Sequence, residues 1–250
     1  QLLNSNEEVA NFAIPNAIGA LATPTVAQQV IDWRDLAKKP INYVFSMPAS
    51  IRTIEASKEW REVTLNRNSE NTDLQWPWSK ILDPNDAVTQ VETPLDGYRL
   101  ALYSQQAITK GPHAAPANIE LKAIQGLTYY ATAAEQGILN PLGINVTRYF
   151  QGQGYRPYGA RSLHRQNDGL NLVTVCSGLN WLERSGNEIL VPLAFSSLTP
   201  ATDGVFFRVQ KGLEGLLEKL WDMGAFYFPK PSAYSVKCDS ETTPPNIAAL

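Results

Sequence analysis

Six stretches of the chain have the apolar spacing or the capping residues of α-helices. The first begins at Thr23-Pro24, a pair typical of a helix start. Asp96 precedes the third as a candidate capping residue. The last carries an apolar stripe between Val205 and Trp221, with charged residues off the stripe. The pattern predicts helices over residues 24–38, 50–64, 97–108, 131–139 and 203–223, and a further helix that includes Leu179, Trp181 and Leu182.

Short apolar or alternating runs bounded by Pro, Gly or polar residues predict strands. Residues 41–47 are mostly apolar and lie between two prolines, which is typical of a buried strand. The run over residues 73–82 contains Pro77, so we predict an edge strand or a bulge there. The remaining predicted strands are 143–149, 155–160, 171–176, which leads into a helix, 190–195 and 233–238.

The order of these elements indicates an α/β (α+β) fold with a mixed parallel and antiparallel sheet flanked by helices. Strands that follow one another without a helix between them imply some antiparallel pairing. Residues 1–22 lack clear periodicity, and we expect this segment to need a neighbour to order it. Residues 23–250 are expected to form one core α/β domain.

The charge of the chain narrows the classes of partner. The formal net charge is −3, so there is no basic excess to neutralise phosphates and we expect no nucleic acid. No apolar run approaches the roughly 20 residues that cross a bilayer, so we expect no membrane partner. The first residues also lack the basic and apolar regions of a signal peptide.

Residues that could carry chemistry are few. The two histidines, His113 and His164, and the two cysteines, Cys176 and Cys238, lack the spacing of metal ligands. The Gly-x-Gly sequence at 152–154 leads into a predicted strand and not a helix, which favours a turn over a dinucleotide loop. We therefore predict no catalytic, cofactor-binding or metal-binding residues, no cofactor, and a protein that is not an enzyme.

Two other function classes stay open on the residues alone. A hydrolase or transferase could use Cys176 and Ser177, where a predicted strand meets a helix, although Ser177 is interpreted as a helix N-cap. The carboxylates from Asp83 to Asp96 could serve the same class of enzyme. A carbohydrate-binding module could use Trp76 and Trp78, although packing is the more frequent use of tryptophan in a strand.

Residues 75–247 contain a series of short motifs in a fixed order. The most specific part is Leu-Asn-Pro-Leu-Gly-Ile-Asn at 139–145, followed by Arg148, Gly-Gln-Gly at 152–154 and Tyr-Gly-Ala-Arg-Ser-Leu at 158–163. Other stretches of the series are 76–84, 97–103, 115–118, 126–127, 134–136, 182–185 and 236–245. The series resembles contractile bacteriophage tail sheath proteins, although Gln153 stands where that family often has Arg and Tyr158 replaces the usual Trp.

The resemblance implies a structural subunit without cofactors. Such subunits form hexameric rings around a tail tube, and a baseplate triggers the contraction that drives the tube through the host envelope. Terminal arms lend strands to neighbouring sheets. The likeness also implies that this chain is a core without the long N-terminal region and the C-terminal arm. We expect such a fragment to be monomeric, and the whole protein to be made in the host cytoplasm and to reside in the virion.

Within this resemblance, five basic side chains are candidate contacts to neighbouring copies or to the tube. We expect the sheet of the core to keep at least one unpaired edge where an arm would pair. A related contractile injection or secretion system would use the same kind of subunit, and the sequence does not separate these hosts. The candidates are Arg148, Arg156, Arg161, Lys211 and Lys219.

Overall fold

The structure is a computed structural model that describes residues 9–14, 24–86, 88–194, 196, 204–239 and 241–242. The chain divides into two compact units, residues 1–177 and residues 178–250.

A five-stranded sheet forms the centre of the first unit. Its strands are β1 (Asn11–Ala13), β2 (Asn42–Ser46), β3 (Thr72–Trp76), β7 (Ile144–Phe150) and β8 (Gly154–Pro157). They lie side by side in the order β1-β2-β3-β7-β8. Neighbours from β1 to β7 are parallel, and β7 and β8 form an antiparallel hairpin. The mixed sheet with flanking helices confirms the predicted fold class.

Four helices accompany this sheet, and a fifth helix begins in the first unit. A π-helical turn, Trp60–Leu65, continues the second helix, and a 3-10 turn, Asn140–Leu142, continues the fourth. The second helix begins at Thr53, whose side chain accepts a hydrogen bond from the Ala56 amide. The helices are α1 (Pro24–Ala37), α2 (Ile54–Glu59), α3 (Asp96–Thr109), α4 (Ala133–Leu139) and α5 (Val173–Leu190).

One face of the sheet carries the main apolar core. Alternate residues of β2, β3 and β7 point into it, because successive side chains of a strand lie on opposite faces. Tyr43 stacks between Phe12 and Phe45, with ring centroids 5.0 Å apart on each side. Leu74, Trp76, Ile144 and Val146 complete this face, and Ile31 of α1 and Ile54 of α2 pack in the same cluster.

The opposite face of the sheet is equally buried and mostly polar, with a small apolar cluster around Val44. Asp73 lies there on β3, and its carboxylate is 1% exposed. Arg99 of α3 donates to it at 2.7 Å, the Tyr103 hydroxyl at 2.8 Å and Asn145 of β7 at 2.6 Å. Arg99 also donates to the carbonyl oxygen of Gly159. This network fastens α3 to the centre of the sheet.

A small antiparallel sheet, in the order β5-β4-β6, follows β3 in the chain. Its strands are β4 (Ser79–Leu82), β5 (Gln90–Thr93) and β6 (Gly126–Leu127). The prediction of one edge or bulged strand over residues 73–82 is therefore wrong. Pro77 lies between two strands of different sheets, where its missing amide costs no ladder hydrogen bond, and β3 is central.

The second unit is helical in its described part. It contains the C-terminal part of α5, a 3-10 turn (Val191–Leu193), α6 (Val205–Asp222) and α7 (Lys230–Ala233). Helices α5 and α6 approach closely at Gly212, where an added Cβ would lie 2.6 Å from the Ile189 side chain. The apolar stripe of α6 is mostly half-buried within this unit, and Leu220 is its buried member.

The six predicted helices all occur, with shifted ends, and the one that includes Leu179, Trp181 and Leu182 is part of α5, but three predicted strands do not form among the described residues. Residues 171–176 lead into α5, because the burial of Val173 and Cys176 at helical spacing outweighs the β-branched run at 173–175. Residues 190–195 begin with the end of α5 and its 3-10 turn, and residue 195 lies outside the described residues. Residues 234–238 form no strand with the described part of the chain.

The buried ion pair gives a testable stability prediction. We expect Asp73→Asn to lower the free energy of unfolding by about 3–5 kcal/mol, because Arg99 then stays buried without a counter-charge. Urea unfolding followed by circular dichroism measures the loss. The matched control is Asp32→Asn on α1, whose exposed pair with Arg67 should be worth less than about 1 kcal/mol. Equal losses in the two variants would contradict the account.

Candidate assembly interface

Strand β1 forms one edge of the large sheet, with β2 as its partner. The amide of Asn42 donates to the carbonyl of Ala10, and this register turns the backbone groups of Phe12 toward β2. The amide and carbonyl groups of Asn11 and Ala13 therefore face the opposite direction. No strand in the described part of the chain pairs with them. This edge fits the expectation of a sheet border that a further strand could join.

The other border, β8, is covered by the chain itself at two points. The Asn118 amide donates to the Pro157 carbonyl at 2.7 Å, and the Leu121 amide donates to the Tyr155 carbonyl at 2.8 Å. Arg156 donates from its side chain to the Asn118 carbonyl at 2.8 Å. A strand that adds to the large sheet would therefore find β1 more accessible than β8.

Two of the predicted contact residues hold the β7–β8 hairpin instead of projecting freely. Arg148 donates to the Ala131 carbonyl at 3.2 Å and to the Gln136 side chain at 2.9 Å. Its guanidinium also lies 4.9 Å from the Phe150 ring centroid. Arg156 is committed to Asn118 and to the carbonyl of Gln153. Both guanidinium groups are engaged in contacts within the first unit, so they are less available to bind a neighbouring subunit.

Arg161 behaves differently from these two. Its backbone amide donates to the Asn145 side chain at 2.8 Å, and its carbonyl accepts from the same side chain at 2.7 Å. The residue is half-buried, and its guanidinium has no hydrogen-bond or ion-pair partner among the described residues. The backbone is thus fixed while the charge stays available, as a contact residue requires.

The two predicted lysines of the second unit lie on α6. Lys211 forms an ion pair with Glu214 at 2.7 Å and lies over the Phe207 ring. Lys219 is exposed and has no partner among the described residues. Arg161 and Lys219 are therefore the two predicted contact residues with unengaged charges. The contact role of all five residues stays a prediction.

Residues around Cys176 and Ser177 do not form a nucleophilic centre. Ser177 lies inside α5, so its interpretation as an N-cap is wrong, and it accepts a hydrogen bond from Asn42 at 3.2 Å. The Cys176 thiol donates to the Leu170 carbonyl, and burial raises the pKa of Cys176 to about 12. His164 pairs with Asp168 at 3.0 Å and with neither of these groups.

The carboxylates between Asp83 and Asp96 have separate roles. Asp83 and Asp86 accept bonds from their own turn, and hydrogen bonds from Thr89 and Val88 lower the pKa of Asp86. Glu92 forms a bidentate ion pair with Arg52. Asp96 is the first residue of α3 and no cap: it is buried and accepts from the Ser46 hydroxyl at 2.6 Å. The structure does not bring these carboxylates together.

The tryptophans do not form an exposed sugar platform. Trp76 is 0% exposed and donates to the Ile51 carbonyl at 2.9 Å. Trp78 is half-buried and donates to the Met47 carbonyl at 2.6 Å. Trp76 ends β3 and Trp78 precedes β4, so both indoles pack and form hydrogen bonds where the chain passes from the large sheet to the small one.

Two further kinds of site are absent from the described ranges. Their His, Cys, Asp and Glu side chains form no cluster of three that could hold a metal ion. Their helices include none with the length and apolarity needed to cross a membrane.

Comparison with solved structures identifies the fold as that of contractile sheath proteins. The sheath of the anti-feeding prophage in its contracted state matches with a TM-score of 0.74 and 21% identity, over 92% of this chain and 59% of that one. The contracted PVC sheath complex of an extracellular contractile injection system matches at 0.72 and 22%, over 92% and 60%. A sheath tail protein from Listeria innocua matches at 0.60 and 12%, over 93% and 50%.

The chain thus spans between 50% and 60% of the length of these three structures. No protein-family profile matches the sequence, and a search of curated proteins finds no relative. The predicted resemblance to sheath proteins is confirmed at the level of the fold.

The state of Cys176 gives a prediction that separates a structural protein from a thiol enzyme. In a Cys238→Ser variant, we expect native protein to react with Ellman's reagent at pH 8 at least tenfold more slowly than urea-unfolded protein. With a pKa of about 12, roughly one thiol in 10⁴ is ionised at this pH. Absorbance at 412 nm follows the reaction. Native labelling as fast as that of unfolded protein would indicate an activated thiol and contradict the account.

Proposed function

We propose that this chain is the core of a structural subunit of a contractile sheath. The observation that carries the proposal is the shared fold, which covers 92% of this chain in two contracted sheath structures. In this proposal the complete subunit assembles as hexameric rings around a tail tube, and its contraction drives the tube through a host envelope. The partners are other copies, the tube protein and the baseplate.

The β1 edge supports a specific mode of assembly. An incoming strand can bond the outward amide and carbonyl groups of Asn11 and Ala13 without disturbing the bonds between β1 and β2. Strand addition of this kind joins subunits through backbone hydrogen bonds, which bind almost independently of side-chain identity. Arg161 and Lys219 supply unengaged positive charge for contacts with acidic surfaces of neighbours or of the tube.

The proposal includes two kinds of particle that would contain such a sheath: a phage tail, or a related injection or secretion system. The solved sheaths at 21% and 22% identity come from the anti-feeding prophage and from an extracellular contractile injection system. The Listeria sheath tail protein is 12% identical. These identities are the observation that favours an injection system as the second candidate. Electron microscopy of particles from the producing cell distinguishes a phage from an injection system, because a phage particle has a DNA-filled head.

The assembly mode predicts the effect of a single edge substitution. We expect the full-length sheath protein containing this chain to form striated tubes, and Ala13→Pro to abolish them. Proline at this position removes an amide that faces away from β2, so the internal ladder keeps its bonds. Negative-stain electron microscopy gives the result. The matched control, Ala13→Val, should still form tubes, and tubes in the proline variant would exclude strand addition at β1.

The isolated chain should behave differently from the full-length protein. We expect its 250 residues to be monomeric in solution, because the proposal places the strands that link subunits outside this core. Multi-angle light scattering after size-exclusion chromatography should therefore give a mass close to 27.6 kDa. A hexamer or larger assembly of the chain alone would show that the core surfaces suffice for assembly.

A further inference from the structure

Asp96 is a buried carboxylate without an ion-pair partner among the described residues. It begins α3, and the residue is 3% exposed. Its side chain accepts a hydrogen bond from the Ser46 hydroxyl at 2.6 Å, and the same hydroxyl accepts from the Leu95 amide at 3.0 Å. No Lys, Arg or His side chain in the described ranges forms an ion pair with it. A buried charge without a counter-charge is costly.

Asp73, a second buried aspartate on the same face of the sheet, has the cation that Asp96 lacks. Arg99 lies about one turn further along α3 than Asp96, and its guanidinium pairs with the Asp73 carboxylate at 2.7 Å. This pairing leaves the charge of Asp96 without a balancing cation. The N-terminal end of α3 meets part of the cost, because its backbone amides carry partial positive charge.

The polar layer next to Ser46 also lacks a hydrogen-bond donor. Ser46 and Gln75 are register partners on β2 and β3, so both side chains lie on this face of the sheet. The amide nitrogen of Gln75 donates to Asp73, while its Oε1 is buried and has no hydrogen-bond partner in the described part of the chain. A proton on Asp96 would remove a buried charge and add a donor to this layer.

The titratable groups of neighbouring elements do not neutralise Asp96. Burial and, to a smaller extent, the charge of Asp96 raise the pKa of the Tyr43 hydroxyl on β2, so this hydroxyl stays neutral. Glu92 of β5 is exposed and pairs with Arg52. Burial therefore outweighs the hydrogen bond from Ser46 and raises the pKa of Asp96 above the ordinary value of an aspartyl carboxyl.

We propose that Asp96 gives the first unit an acid response: it takes up a proton as the pH falls and then holds the start of α3 on the sheet more firmly. The step converts the carboxylate into a carboxylic acid with a proton from solvent. Because the folded-state pKa is raised, this stabilisation is complete below the pKa of the unfolded carboxyl and is lost as the pH rises through the folded-state pKa. The response is independent of the proposed sheath function.

The Asp96→Asn variant tests the proposal through the pH dependence of thermal unfolding. The measured quantity is the melting temperature of the variant minus that of the unsubstituted chain, from circular dichroism at pH 8 and at pH 4.5. We expect this difference to be about 2–4 °C more positive at pH 8, because only the unsubstituted chain keeps a buried charge there. A difference that is equal at both pH values, or more positive at pH 4.5, would overturn the proposal.

Comparison of two proteins at each pH removes the effect of other titrating groups. Burial lowers the pKa of His113, so His113 destabilises the fold as the pH falls, which is the opposite sense. This contribution is present in both proteins and cancels in the difference. The exposed control Asp32→Asn should change the difference between the two pH values by less than about 1 °C.

The Ser46→Ala variant gives an independent test. It removes a hydrogen bond that favours the charged form of Asp96 and leaves the Leu95 amide without its acceptor, so we expect a lower melting temperature at both pH values. The loss should be about 1–2 °C smaller at pH 4.5 than at pH 8, because neutral Asp96 depends less on this donor. A loss that is equal at the two pH values, or larger at pH 4.5, would show that Asp96 does not respond to acid.

Discussion

The buried carboxylate of Asp73 is the group on which the body of the first unit depends. It accepts hydrogen bonds from side chains of α3 and β7 at the centre of a sheet whose other face is apolar. A charge in this position is tolerated only with its partners in place, because an unpaired buried charge costs several kcal/mol. The network therefore links the positions of α3, β3 and β7, and through Arg99 it also fixes the backbone at Gly159. A body held in this way resists local deformation.

A stiff body suits the proposed function, in which the subunit works through contacts with its copies. In a contracting assembly the change of state lies at the interfaces between rigid bodies, since packed interiors do not deform continuously. In the proposed function, a neighbour contacts the outward backbone of β1 and the free guanidinium of Arg161. Neither of these groups has to disturb the Asp73 network when such a contact forms or breaks.

The sequence predicted the fold class and most helices, because apolar periodicity and capping residues are local signals. The motifs at 139–145 and 158–163 also indicated the sheath fold. Strand β1 was not predicted, because its three residues have no periodicity and become a strand only by pairing with β2. The polar layer was not predicted either. Asp73 and Gln75 alternate with Leu74 and Trp76, which resembles a solvated face, and the packing of α3, with Arg99 26 positions away from Asp73, makes that face an interior. Which charged side chains lack a partner also depends on tertiary contacts, and the sequence alone does not give these.

The most direct test of the central claim is a pair of cryo-electron microscopy reconstructions of the assembled full-length protein, in the long and short states that the proposed function requires. The account predicts that residues 24–177 superpose within about 1 Å between the two states, as preorganised partners do, with the Asp73–Arg99 pair intact and the contacts between subunits changed. A remodelled sheet, or a broken Asp73–Arg99 pair in either state, would contradict it.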